Sequence, residues 1–168
     1  MKRLFFALCP DQQTRRKVEE FNQTIRVPGI KKVRADNLHI TLLFLGNTDV
    51  SSEMRLRRLA SDITAQPFVV QFSQLDFWRK AKILCLTTRT YDVQLAILVE
   101  SLTAIAKQCG LATEERVYRP HITLVRKAHS LIDMDVLPIE WQADSFCLLE
   151  STSTSEGVHY QVLECWSL

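Results

Sequence analysis

Glycine is scarce in this chain, with four among 168 residues and no two close together. That excludes a glycine-rich loop cradling phosphates on backbone amides, and no Gly-x-Ser-x-Gly turn presents a serine nucleophile. The five cysteines, Cys9, Cys85, Cys109, Cys147 and Cys165, are scattered and never paired as Cys-x-x-Cys. An odd, dispersed set predicts reduced thiols packed in the core of a cytoplasmic protein rather than a disulfide framework. No apolar run approaches membrane-spanning length. The opening MKRLFFALCP imitates a secretory leader, but its apolar stretch is only five residues long before Cys9-Pro10. It reads as a first strand. A net charge of +2 is too small to announce a nucleic-acid coat. Basic residues gather only locally, at Lys31, Lys32 and Arg34, at Arg55, Arg57 and Arg58, at Arg79, Lys80 and Lys82, at Arg116 and Arg119, and at Arg126 and Lys127.

Histidine is equally rare, yet two of the four stand in one repeated tetrapeptide, His39-Ile40-Thr41-Leu42 and His121-Ile122-Thr123-Leu124. Both copies lie in apolar, strand-like runs. Strand side chains alternate faces, so each histidine shares a face with its threonine, roughly 6–7 Å along, while Ile and Leu take the other. Each copy thus offers an imidazole and a hydroxyl side by side. Two such strands facing one anion would supply a proton donor and a proton acceptor.

The surroundings repeat as well. Arg3–Leu8 reads as a strand, and Asp11 caps a helix to about Arg26 with Val18, Phe21 and Ile25 on one stripe. The basic loop Lys31–Asn37 leads into a strand over Leu38–Leu45, closed by Gly46-Asn47. Ser51 or Ser52 starts a second helix with Leu56, Leu59, Ala60 and Ile63 inward. Strands over about Phe68–Leu75 and Lys82–Thr87 follow. Asp92 then caps a helix to Cys109, with Gly110 just beyond its end. The second motif strand is Pro120–Arg126, and the chain ends in a hairpin of Ser145–Glu150 and Val158–Trp166 about a turn through Gly157. The motif histidines are 82 residues apart and the two capping aspartates 81. Strand, helix, loop and motif strand therefore occur twice, in units of about 3–46 and 82–127. These features predict one domain over 1–168, α+β and two-lobed, with mainly antiparallel sheets facing a central cleft.

The chain resembles the 2H phosphoesterase family, defined by two His-x-Thr/Ser-x motifs on a duplicated fold. Within it the chain is most similar to the bacterial RNA 2′,3′-cyclic phosphodiesterases, also called 2′-5′ RNA ligases. Arg3-Leu4-Phe5-Phe6-Ala7, the run from Asn37 to Gly46, that from Arg119 to Arg126, and Gly157-Val158-His159-Tyr160 with Trp166 carry the resemblance over essentially the whole length. It implies hydrolysis of 2′,3′-cyclic phosphates at RNA ends or on small nucleotides to 2′-phosphates, with the reverse 2′-5′ joining using the same groups. It also implies His39 as proton donor and His121 as proton acceptor, roles that the nearly symmetric residues do not assign by themselves. Histidine suits both tasks because its pKa lies near neutrality. Thr41 and Thr123 would hold the non-bridging oxygens.

Two arginines compete for the phosphate. Strand alternation puts Arg119 on the face of His121 and Thr123 and turns Arg126 away. The family pattern favours Arg126, which could reach the phosphate only if the strand ended or bulged near Val125. Phe5 could stack on a base, although core packing is its default. His129 and His159 read as structural or solvated residues, and Trp78, Trp141 and Trp166 as core or interface residues rather than base platforms. No metal or other cofactor is expected, since neither motif has a second ligand at short spacing and threonine is a poor one. The expected partners are RNA ends or small cyclic nucleotides, with no membrane, for a monomer. The modest net charge likewise suggests an RNA terminus or small nucleotide rather than a long duplex. Two other readings remain open: a module that binds nucleotides or RNA ends without turnover, and a phosphodiesterase for 2′-5′ oligoadenylate or a cyclic ADP-ribose phosphate.

Overall fold

The computed structural model describes residues 1–113, 117–155 and 157–168; Arg116 of the predicted basic pair lies outside them. The chain is α+β, and its strand pairs are antiparallel. Strand β1 (Lys2–Leu8) leads to helix α1 (Gln12–Thr24), the two-residue strand β2 (Lys31–Lys32) and strand β3 (Ile40–Thr48). Helix α2 (Val50–Ala60) and strands β4 (Phe68–Phe72), β5 (Gln74–Trp78) and β6 (Ile83–Thr87) follow. Helix α3 (Val93–Gln108) precedes strand β7 (His121–Arg126), and β8 (Ile139–Ala143), β9 (Ser145–Thr154) and β10 (Gly157–Ser167) close the chain.

Asp11 and Asp92 cap α1 and α3 as expected, each accepting a backbone N–H of the first turn. The cap of α2 is Asp49, not Ser51 or Ser52, and its carboxylate gathers the Ser52 amide and both serine hydroxyls. The first motif strand also runs past Gly46-Asn47 to Thr48, with Gly46 at φ 69°. The single strand expected over 68–75 is two strands in different sheets. Phe68–Phe72 pairs with β8, and Gln74–Trp78 pairs with β6. Sequence periodicity gives no sign of this break, because both halves alternate and their partners lie elsewhere in the chain.

Seven strands form one path, β10-β9-β1-β3-β7-β6-β5, with β2 added beside β7. The centre of the path is the single pair Ile40↔Ile122, where the two motif strands meet. On either side the order is alike: β3 pairs with β1, and β7 pairs with β6. The helices cover one face. Val18, Leu56, Leu95, Leu98 and Leu102 pack there with Ile40, Ile122, Leu124 and Val125 in the main core.

The opposite face carries a small second cluster of Phe5, Ala7, Cys147 and Leu149, with Cys9 and Tyr160 against it. On this face Cys147 and Cys165, direct cross-strand partners in β9 and β10, are joined as a disulfide. The expectation of five reduced thiols is therefore corrected to three, Cys9, Cys85 and Cys109. The spacing of the two residues carried no signal, since hairpin register alone places them opposite each other. Trp141 and Trp166 are core residues as expected: Trp141 is fully buried, and Trp166 stacks on Phe146.

Candidate active site

Ile40 and Ile122 are fully buried toward the helices, so the residues flanking them face the other way. One residue to either side of that pair, His39 and Thr41 on one chain segment and Thr123 and His121 on the other share this face, in opposite order because the strands are antiparallel. All four are half-buried. The imidazoles and hydroxyls thus form a crosswise quartet at the seam of the sheet.

Both rings are held in the same manner. His39 Nδ1 lies 2.7 Å from the Asn37 carbonyl oxygen, and His121 Nδ1 lies 2.8 Å from that of Arg119. A carbonyl only accepts, so each Nδ1 carries a proton, and in the neutral form of either ring Nε2 is the basic nitrogen. His39 Nε2 meets the Thr41 hydroxyl at 3.0 Å. Burial pulls the His39 pKa down from 6.5 to about 4, opposed by the Asn37 hydrogen bond and assisted by the charges of His121 and Arg126. Those last two causes place both side chains within electrostatic reach of the His39 ring.

Aromatic rings wall both histidines. Phe5 and Tyr160 lie 5.2 and 4.9 Å from His39, centroid to centroid, and Trp78 lies 4.3 Å from His121. Phe5 is only 2 % exposed, so its default of packing describes it better than an open base platform. Trp78 corrects the expectation of a core or interface role. It sits on the face of the histidines, half-buried, and lines a cavity of about 290 Å³ together with Thr41, Phe44, Tyr118, Arg119 and His121. Pairing of β5 with β6 brings it there, which its local sequence does not reveal.

A strand irregularity brings both arginines to one face. Thr123 pairs with Cys85 and Val125 with Leu84, so Leu124 is an extra residue, a β-bulge. Leu124 and Val125 are consequently both buried, and Arg126 returns to the face of His121 and Thr123. The bulged carbonyl is satisfied from outside the ladder by the Asn22 side-chain amide at 3.2 Å and the Val33 N–H at 2.8 Å. Arg119 lies on that face too. It packs over the Trp78 ring at 5.2 Å and stands 3.7 Å from Asp76.

The first motif strand has the same defect. Thr41 pairs with Ala7 and Leu43 with Phe6, leaving Leu42 extra and returning Phe44 to the site face, 45 % exposed. Phe44 and Arg126 each stand five residues after a motif histidine. The signal for Phe44 was present in the repeat, which continues as His-Ile-Thr-Leu-x-Phe in one copy and His-Ile-Thr-Leu-x-Arg in the other. Strict alternation hid it. Tyr160 was missed as well, because it reaches His39 from the terminal strand. Among the described residues no three His, Cys, Asp or Glu side chains group closely enough to hold a metal ion.

A family model described as the 2′-5′ RNA ligase superfamily matches residues 10–154. The chain belongs to that superfamily. Named RNA 2′,3′-cyclic phosphodiesterases similar to it include one from Escherichia coli, 29 % identical over 99 % of this chain and 97 % of the relative. Another, from Thermotoga maritima, is 30 % identical over 97 % and 94 %. The crystal structure of E. coli LigT complexed with 3′-AMP superposes with a TM-score of 0.92 at 28 % identity, covering 99 % of this chain and 98 % of that one. Superfamily membership thus rests on nearly the full length, both motif strands included.

Proposed function

We propose that this chain hydrolyses 2′,3′-cyclic phosphates at RNA ends or on small nucleotides to 2′-phosphates, without a metal. The crosswise His39, Thr41, His121 and Thr123 quartet about the Ile40–Ile122 pair carries the reading. Relatives named RNA 2′,3′-cyclic phosphodiesterases along nearly the whole length support it.

In this mechanism water attacks phosphorus, the bond from phosphorus to the ribose 3′ oxygen breaks, and the phosphate remains on the 2′ oxygen. His121 accepts the proton of the water through Nε2, and His39 donates a proton to the departing 3′ oxygen. Thr41 and Thr123 donate hydrogen bonds to the non-bridging oxygens, and Arg126 neutralises the charge that grows there. Phe44 offers an aromatic face for the base. His39 is neutral at pH 7 in the free protein, so the donor role requires it to take up a proton together with the phosphate anion. Joining RNA ends in a 2′-5′ linkage would run the same steps backward.

All these groups come from one chain, so a monomer suffices, and we take its place of action to be the cytoplasm. We also read residues 3–46 and 82–127 as repeat units of a single domain over 1–168. Each then presents half the site to a cleft between the halves.

The test is incubation with 2′,3′-cyclic nucleotides in EDTA, followed by phosphorus NMR. The expected product is the 2′-phosphate, with loss of roughly 10²–10⁴-fold in kcat for His39→Ala or His121→Ala. A 3′-phosphate product, or no turnover, sinks this reading.

A further inference from the structure

Two arginines share the face of His121, and a single cyclic phosphate accounts for only one of them. Arg126 stands beside the quartet, where its charge reaches His39. Arg119 stands at the other end of the strand and borders the cavity lined by Thr41, Phe44 and His121.

The Arg119 guanidinium is positioned but not saturated. Trp78 supports it from beneath at 5.2 Å. Its approach to Asp76 is 3.7 Å, longer than a hydrogen bond, and the same carboxylate oxygen already accepts the Thr87 hydroxyl at 3.0 Å. The side chain remains 65 % exposed. Five N–H donors in a planar fork, fixed at the mouth of a cavity, suit a phosphate. The guanidinium and the His121 imidazole also flank the same Trp78 ring, 5.2 and 4.3 Å from its centroid, so a phosphate held by Arg119 lies beside the one on which His121 acts.

We propose that Arg119 binds a second phosphate of the substrate, the one on the 5′ oxygen of the nucleoside whose cyclic phosphate is opened. The proposal rests on the phosphodiesterase reading and adds a substrate class to it. The favoured substrate carries a 5′ phosphate group, either the internucleotide diester of an RNA end or a 5′-monophosphate, over a bare nucleoside cyclic phosphate. Arg119 would then set specificity while Arg126 serves the reacting phosphate.

Three substrates test this: adenosine 2′,3′-cyclic phosphate, its 5′-phosphorylated form, and the dinucleotide ApA ending in a cyclic phosphate. The wild-type protein should favour a phosphate-bearing substrate by roughly ten- to a hundredfold in kcat/KM, mainly through KM. Arg119→Ala should bring that ratio to about one and lower the salt slope for the dinucleotide by about one. Arg119→Lys should restore part of the ratio. A preference for both phosphate-bearing substrates identifies the charge itself as the determinant, and a preference for the dinucleotide alone identifies the diester.

The proposal is overturned if the wild type shows no preference, if Arg119→Ala keeps it, or if the variant loses all three substrates by one factor, as a structural role would produce. Thermal midpoints measured alongside show whether the variant has folded. Should none of the three be turned over, the phosphodiesterase reading fails. Titration with adenosine 2′-phosphate and its 5′-phosphorylated form then decides Arg119 separately. Arg119→Ala must weaken only the latter, and equal weakening of both, or of neither, overturns the assignment.

Discussion

His39 combines two requirements that oppose each other at the level of one side chain. Walled by Phe5 and Tyr160, its ring loses solvation, and with His121 and Arg126 nearby its charged form is disfavoured. The same two basic groups attract the anion that would reverse this. In nitrogen-detected NMR the Nε2 of His39 should therefore stay unprotonated until the pH falls to about 4 in the free protein. Inorganic phosphate should move that titration upward. A free-protein midpoint near 6.5, unmoved by phosphate, would contradict the argument. The sign also fixes a stability effect. The unfolded chain protonates this histidine near 6.5 and the folded one near 4, so stability is full above that window. It declines as pH falls through it, by up to roughly 3 kcal/mol.

Elements aim what residues supply. Without the bulge at Leu124, alternation would carry Arg126 to the helix-covered face, where an unpaired guanidinium could not be buried. The extra residue leaves a carbonyl outside the β6 ladder, and Asn22 from α1 joins the Val33 N–H in satisfying it. Asn22→Ala should destabilise the fold by about 1–2 kcal/mol. It should also lower kcat/KM on cyclic phosphates more than it lowers the folded fraction, because the aim of Arg126 relaxes. Urea unfolding and initial rates at a temperature well below the midpoint separate the two effects. An activity loss no larger than the loss of folded protein would remove Asn22 from this role. The bulge at Leu42 in the other motif strand returns Phe44 to the site face in the same way. One device applied twice thus presents a cation on one side and an aromatic ring on the other.

Across the whole molecule, the two halves of the sheet meet at one residue pair. Ile40 and Ile122 are both fully buried in the main core, so the seam is held by packing from the helix side as much as by ladder hydrogen bonds. Ile122→Ala should cost about 2–5 kcal/mol. Its effect should appear on both halves of the site, weakening phosphate binding through His39 as well as His121. Phosphate-induced shifts of both histidines in NMR check this. An effect confined to His121 would mean that the seam does not couple the halves.

The repeated His-Ile-Thr-Leu, the offset of 81–82 residues and the aspartate-capped helices are local patterns. Chemistry and backbone periodicity bind neighbours at i+2, i+3 and i+4, so the sequence by itself determined the α+β class, the helices α1 and α3, and the pairing of each histidine with its threonine on one face. What it could not determine depends on partners far along the chain. Whether residues 68–78 form one strand or two depends on β8 and β6 competing for them. The Cys147–Cys165 bond follows from hairpin register, and the closeness of Trp78 to His121 from the packing of β5 at the sheet edge. Arg126 is the sharpest case. Alternation alone turned it away from the site, and the tertiary structure brought it back, because a two-residue periodicity holds only until the neighbouring strand forces an extra residue into the ladder.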